Sequence, residues 1–392
     1  MIMDSNAESQ QFLPVFFERL WGWCYSYQDR YWDVRRFGPQ PKASWLEGVK
    51  HRLKIWGGRR GWAGRHFSIP AASAELTSIL MRQQKYAHGY TLMSDAYSKQ
   101  VYLDLLAFRV LGPRHVCLPA NTPAYWREYS RDDEHVVQRN TGRVDFGPIH
   151  WTLNRYDIPG KTGILRLHMV PGSYQYYFVL RGYDYEQGGV SIGVEPGDVV
   201  INGGGCWGDT DVIFADRCAP DGRVYTFEFN PENLEIMRRN LAANPELAPR
   251  IVPVEKALSD ISGQTLAFSP FGPGTQVNSA IPGGGGQSVA TLAIDDLTEQ
   301  HDLRRVDFIK MDIEGSELQA LRGAERTLRR FRPKLAISAY HKPEDLFTLV
   351  DYIDRLNVGY RFYLDHFTVH MEETVLFASC GKQGQEVPRS AQ

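Results

Sequence analysis

Asp198-Val199-Val200-Ile201-Asn202-Gly203-Gly204-Gly205-Cys206-Trp207-Gly208-Asp209-Thr210 is the stretch on which the fold of this chain turns. A β-branched run ends in a glycine cluster and then turns helical. Glycine lets the backbone bend tightly and come close to a ligand, and a helix N-terminus beyond the bend faces that ligand. Gly203-x-Gly205-x-x-Gly208 has the spacing of a dinucleotide fingerprint. Glu228 follows Gly208 by twenty residues, at the end of the next strand, where an acid binds ribose hydroxyls.

Downstream of this loop the chain alternates strand and helix. Strands are expected at Val199–Asn202, Val224–Glu228, Ile251–Glu255, Phe308–Asp312, Leu335–Tyr340, Tyr360–Leu364 and Thr374–Ala378. Such alternation implies an α/β fold, doubly wound, with a largely parallel sheet and helices on both faces. The short link between the last two strands makes them an antiparallel hairpin. Asn230 is a natural N-cap, with Pro231 at the first helical position and Leu234, Met237 and Leu241 on one face. A second helix begins near Pro343 and aligns Leu346, Leu349, Val350 and Ile353. Phe271 to Gly286 is too glycine-rich for regular structure and reads as a flap or a loose connection.

Upstream, residues 1–160 read as a mainly helical accessory region that shapes an acceptor pocket or an oligomer contact. Helices are expected near Ala72–Arg82 and from about Ser94 to Leu111. Residues 161–192 read as a β-rich connector, with Ile164–His168 and Tyr176–Leu180 as strands between Pro-Gly and Gly-Gly turns. Residues 193–380 form the ligand-binding domain and 381–392 a tail. The N-terminal aromatics, from Phe12 through Trp21 to Trp32, read as an amphipathic helix packed on the body or on a partner subunit. Peripheral membrane contact is the other use of such a helix. Lys50 to Arg60, with Trp56 and Trp62, is locally basic and reads as a solvated face.

Composition limits the function. With 392 residues, 43% hydrophobic and 23% charged, the chain has the make-up of a globular protein with more than one domain. A net charge of −2 gives no global case for nucleic acid as a partner. The odd count of five cysteines, without a CxxC pair, indicates neither a zinc site nor a disulfide framework and favours a cytoplasmic setting. No run is long and apolar enough for a transmembrane segment.

Three further segments complete the pattern: Val254-Glu255-Lys256-Ala257-Leu258-Ser259-Asp260, Ile309-Lys310-Met311-Asp312-Ile313-Glu314-Gly315-Ser316-Glu317 and Ala339-Tyr340-His341-Lys342-Pro343-Glu344-Asp345-Leu346. With the glycine loop and Glu373 to Ala378, this ordered set resembles the FkbM family of S-adenosylmethionine-dependent methyltransferases over about Tyr183 to Ala378. The resemblance implies a class I methyltransferase, Rossmann-like, with a seven-stranded sheet, and S-adenosyl-L-methionine as cofactor. It places the cofactor against Asn202, Gly203, Gly204, Gly205, Cys206, Trp207, Gly208, Asp209, Thr210, Glu228, Phe229, Asn230, Ala257, Leu258 and Asp312. One residue departs from the pattern. The first strand ends in Asn202, where such enzymes have an acid, which removes a negative charge expected beside the sulfonium.

Methyl transfer to oxygen needs a positioned acceptor and a group that takes or loosens the hydroxyl proton. Ligands of doubly wound sheets bind at the carboxyl ends of strands. That filter selects Asp312, Glu314, His341 and His366 as catalytic candidates, with His341 as the base. These four could supply oxygen and nitrogen ligands to a divalent metal, which stays open as a variant, but they are not at a recognised metal spacing and no metal site is assigned. The expected activity is O-methylation of a sugar, a polysaccharide precursor or a secondary metabolite, with a small-molecule or glycan acceptor and a homo-oligomer as a further arrangement. An NAD-dependent oxidoreductase and a non-catalytic scaffold remain open beside it.

Overall fold

The computed structural model describes residues 5–28, 30–34, 69–146, 149–278 and 287–381. The basic patch at 50–60 and the glycine run at 283–286 lie outside them. The chain begins with α1 (Ser5–Cys24), α2 (Ile69–Met81), α3 (Gln83–Leu92), α4 (Ala96–Leu111) and α5 (Pro123–Arg131). Asp95 caps α4 by accepting the Ser98 N–H at 2.7 Å, and Thr122 caps α5 in the same way. Phe12, Phe16 and Leu20 of α1 are buried, so the aromatic helix packs on the body. Arg19 clamps Asp104 of α4 with two hydrogen bonds, and the Trp23 indole donates a third. No helix among the described residues is long and apolar enough to cross a membrane.

Helical character stops at His135. An antiparallel sheet of β1 (Val136–Phe146), β2 (Ile149–Pro159) and β3 (Ile164–Met169) follows, so strands occupy the end of the region expected to be helical. The expected strand at Tyr176–Leu180 is instead a π-helical turn, Gln175–Val179. A short apolar run carries no reliable periodicity of its own. Here the helical turn sends Tyr176 edge-on against both Tyr183 and Phe367, two contacts on separate elements. The hairpin β4 (Tyr185–Gln187) and β5 (Val190–Ile192) leads into the main sheet.

That sheet is built from β6 (Val199–Gly203), α6 (Asp209–Cys218), β7 (Arg223–Phe227), α7 (Pro231–Ala243) and β8 (Ile251–Val254). A four-stranded excursion follows, made of β9 (Ala257–Leu258), β10 (Thr265–Phe268), β11 (Val277–Asn278) and β12 (Gln287–Leu292). Then come α8 (Ile294–Gln300), β13 (Phe308–Met311), α9 (Glu317–Arg322), α10 (Glu325–Phe331), β14 (Lys334–Ser338), α11 (Asp345–Arg355), β15 (Arg361–His366) and β16 (Thr374–Ser379). The seven-stranded order is β15-β16-β14-β13-β6-β7-β8, with β16 running opposite to the other six strands. Successive side chains alternate across it. Ile201, Ile309 and Ile337 join the core that holds α3, α4 and α11, whereas Val200, Phe308 and Ala336 join the core built with α6, β2 and β3.

The N-terminal region is bonded to this sheet. Ser98 Oγ accepts the Leu364 N–H at 2.9 Å, and Tyr97 donates its hydroxyl to Asp365 at 2.6 Å. On the other side α7 acts as a strand edge through its asparagines. Asn240 accepts the His168 N–H at 2.7 Å and donates to its carbonyl, and Asn244, which caps the helix, does the same to Arg166. The open edge of β3 is satisfied by amides that mimic a backbone.

Candidate active site

β6 lies between β7 on one side and β13 on the other, so the chain reverses its direction of winding there. A crevice opens at the carboxyl ends of these strands. It holds a cavity of about 370 Å³, reaching from Glu228 and Phe229 at one end to Asp312 and Glu314 at the other. Gly204 sits at φ +81°, and a Cβ there would collide with the Asp312 carbonyl. Only glycine lets the loop after β6 lie against the loop after β13.

Glu228 ends β7 as expected. Its Oε1 accepts the N–H groups of Phe229 and Asn230, both at 2.7 Å, and its Oε2 accepts from Asn233 at 3.2 Å. Burial pushes its carboxyl up, against the pull of those donors. The carboxylate is thus fixed in orientation at the cavity wall. Asn233 in turn receives the Trp207 indole N–H.

Asp209, in the first turn of α6, is almost fully buried and lines the cavity. Burial pushes its carboxyl up to about 6, against the Thr210 N–H and the nearby Lys310 ammonium. Lys310 donates to the Gly203 and Gly204 carbonyls at 3.1 and 2.8 Å and lies 5.0 Å from the centre of the Tyr183 ring. A buried ammonium therefore pins the glycine loop to β13.

Cys206, Trp207 and Thr210 also line the cavity, as do Phe229, Ala257 and Leu258. Gly203, Gly205 and Gly208 shape the turn without forming its lining. Asn230 caps α7 and donates to the Gly272 carbonyl and to Thr275, so the described part of the glycine-rich segment folds over the cavity. Asn202 does not line the cavity. It is fully buried behind the loop, and its amide donates to Asp211 at 2.6 Å and to Thr210 at 3.2 Å. An acid at 202 would have faced the Asp211 carboxyl, and two buried carboxylates at that distance repel. The asparagine thus serves Asp211 rather than a ligand.

At the far end, Asp312 accepts the hydroxyls of Tyr183 at 2.9 Å and Tyr340 at 3.0 Å. Burial favours its neutral form, but Lys310, His341 and the Tyr183 hydroxyl outweigh that and lower its carboxyl below the usual range. Glu314 follows in the left-handed region, at φ +57°, an uncommon conformation for a residue with a side chain. Burial and the Asp312 charge push its carboxyl up to about 7.

His341 is 7% exposed and faces three carboxylates. Nδ1 lies 3.0 Å from Glu317, and Nε2 lies 3.5 Å from Asp312 and 3.6 Å from Glu314. None of these contacts has hydrogen-bond geometry, so they act as charge contacts. Burial alone would lower the imidazole, but Glu317, Asp312 and Glu314 raise it to about 9. With no ion between them, these carboxylates favour the protonated ring, which argues against His341 as the general base.

His366 also departs from expectation. It is buried behind the wall, with Nδ1 2.9 Å from the Thr374 hydroxyl. The tip of its hairpin opens on the cavity through Phe367, Thr368, Glu372 and Glu373 instead.

Sequence reasoning singled out neither Glu317, Tyr183 nor Tyr340. Glu317 accepts the N–H groups of Ile313 and Gly315 and holds the loop after β13. Its position inside the IKMDIEGSE segment was the available signal. Asp33, Tyr125 and Trp151 from the N-terminal region also line the cavity.

Residues 191–362 match the family model described as Methyltransferase FkbM domain. The chain carries an FkbM methyltransferase domain. Among curated proteins it is similar to the hexuronic acid methyltransferase AglP of Haloferax volcanii, 27% identical over 113 residues. That alignment takes in 29% of this chain and 45% of the relative, so the chain spans less than half the length of the relative it matches. Among solved structures it is similar to methyltransferase FkbM from Methylobacillus flagellatus, with a TM-score of 0.49 at 22% identity over 77% of this chain and 60% of the other. Aeropyrum pernix fibrillarin in complex with S-adenosyl-L-methionine gives a TM-score of 0.35 at 13% identity, covering 62% and 98%.

Proposed function

We propose that this FkbM methyltransferase domain binds S-adenosyl-L-methionine and methylates a hydroxyl group of a sugar, in the cytoplasm. The observation that carries this reading is the pairing of Glu228 with Asp209 in one cavity. Glu228, locked by two backbone N–H groups, offers its remaining lone pairs to ribose hydroxyls. Asp209 stands at the start of α6, where a dinucleotide enzyme would seat a pyrophosphate. A buried carboxyl there repels phosphate and suits a sulfonium or an ammonium. The residues present therefore fit S-adenosylmethionine and oppose NAD.

When bound, this cofactor supplies a methyl group on sulfur for in-line displacement. The chain's own residues do the rest. Glu228 and Asp209 orient the two ends of the ligand. Lys310 keeps the glycine loop closed on it. Asp312, held by Tyr183 and Tyr340, presents a fixed carboxylate toward the acceptor end. Glu314 opens on the same end and is placed to take the hydroxyl proton. Tyr125 and Trp151 supply aromatic walls of the kind that pack against the apolar face of a pyranose. The hexuronic acid named for the Haloferax relative supports a sugar as acceptor.

Calorimetry of the full chain with S-adenosylmethionine and with NAD tests the cofactor. Binding of the first alone is the expected result, and binding of NAD alone would overturn the reading. Methyl transfer to a panel of hexuronates and neutral sugars tests the acceptor. Glu314→Gln is expected to lower kcat by about 10²–10⁴ while leaving cofactor affinity unchanged. Loss of cofactor affinity in step with kcat would remove Glu314 as the base. Transfer to none of the sugars by a chain that binds the cofactor would favour the scaffold reading.

A further inference from the structure

We infer that Asp312, Glu317 and His341 make a divalent-cation site behind the acceptor end, with Asp312 as the member that lines the cavity. Each of the three offers one ligand atom, and these atoms all lie within 4.8 Å of one another. That span is about twice the cation–oxygen distance of about 2.0–2.6 Å found for divalent ions, so small side-chain rotations bring all three into coordination. A set of two carboxylates and one imidazole suits Mn²⁺ or Zn²⁺.

Two observations besides the clustering point to a ligand. Glu317 is 1% exposed, and its Oε2 is buried without a hydrogen-bond partner. Its other oxygen is engaged by the Ile313 and Gly315 N–H groups, which hold the side chain in place. The His341 side chain is 7% exposed, and neither of its nitrogens has hydrogen-bond geometry to a neighbour, although Nδ1 lies 3.0 Å from Glu317. Buried polar atoms are rarely left unsatisfied, because such a group has given up its water without a replacement partner. A cation between them satisfies carboxylate and imidazole together.

The surroundings are consistent with preorganisation. Tyr183 and Tyr340 fix Asp312 through its two oxygens. Glu314, 3.6 Å from His341 Nε2, stands beside the cluster at the cavity. A cation here lends positive charge to an acceptor hydroxyl bound above Asp312 and leaves Glu314 to take its proton. This role rests on the methyl-transfer reading, whereas the binding site itself does not.

Mn²⁺ binding by the metal-stripped full chain, followed through the electron paramagnetic resonance signal of the free ion, tests the site. One Mn²⁺ per chain is expected. His341→Ala and Glu317→Gln are each expected to weaken binding at least tenfold, and His88→Ala on the outer surface leaves it unchanged. Circular dichroism of each variant shows that the fold is retained. Absence of binding by the folded wild type, with no Zn²⁺ binding either, overturns the proposal. So does Mn²⁺ affinity that survives both substitutions. Calorimetry with S-adenosylmethionine in the presence of EDTA separates the two readings. Cofactor binding without any metal binding sinks the cation site alone, and metal binding without cofactor binding sinks the methyl-transfer reading alone.

Discussion

At the scale of single residues, Asn202 and Asp211 show how a buried charge is managed. Asp211 is fully buried, and burial pushes its carboxyl up from 3.8 to about 7, against the Asn202 amide and Thr226. The native chain therefore keeps a proton that the unfolded chain releases near pH 4. Stability falls as pH rises between those two values and levels off above the upper one, a loss on the order of 4 kcal/mol. Asp211→Asn is expected to reduce that slope, to which Asp209 and Glu314 also contribute, and to stabilise the protein at pH 8. Urea unfolding of both proteins at pH 5 and pH 8 measures it, and an unchanged slope in the variant would contradict the assignment. Glu228 was legible in the sequence because its offset from the glycine loop is a property of strand and helix length. Asn202 was not, because which side of a strand end meets a ligand depends on what packs behind it.

At the scale of elements, the helix after Glu228 does more than its periodicity reveals. Asn230 and Pro231 mark the start of α7 in sequence as they do in the structure. The asparagines at the far end looked like ordinary polar positions. Asn244 in fact binds both the N–H and the carbonyl of Arg166 and also the Asn240 carbonyl. Asn244→Ala leaves the part-buried N–H and carbonyl of Arg166 without this partner, and should cost about 1–3 kcal/mol. A shift of the urea midpoint without a change in slope is the expected result. A loss below 0.5 kcal/mol, about the smallest net worth of a single hydrogen bond, would show that water replaces the clasp. The π-helical turn at Gln175–Val179 illustrates the converse difficulty. Its aromatic run suits strand and helix equally, and only the positions of Tyr183 and Phe367 select the helical form.

At the scale of the whole molecule, the region before residue 190 is not an appendage. Tyr86 packs edge-on against Phe347 of α11 with ring centres 4.9 Å apart, and Arg109 donates to the Pro343 carbonyl at 2.9 Å. One continuous core includes Tyr102, Leu105, Phe362 and Leu364. A fragment of residues 191–380 would expose Phe347 and Phe362 on one face and Phe214 on the other. It is expected to aggregate or to lose cooperative unfolding, whereas the full chain unfolds in one transition. A soluble fragment with the same urea midpoint would contradict this. The sequence by itself determined the alternating strands and helices, the glycine turn with an acid twenty residues beyond it and the family resemblance. Those features are local in the chain, set by periodicity, capping and fixed spacing. Only the tertiary structure decided which candidates meet. His341 and Glu317 come from loops after different strands, and their charges act through space, so a residue chosen as a base stands among three carboxylates. His366 and Asn202 turned inward for the same reason, because burial and neighbouring charge depend on contacts that spacing along a chain does not contain.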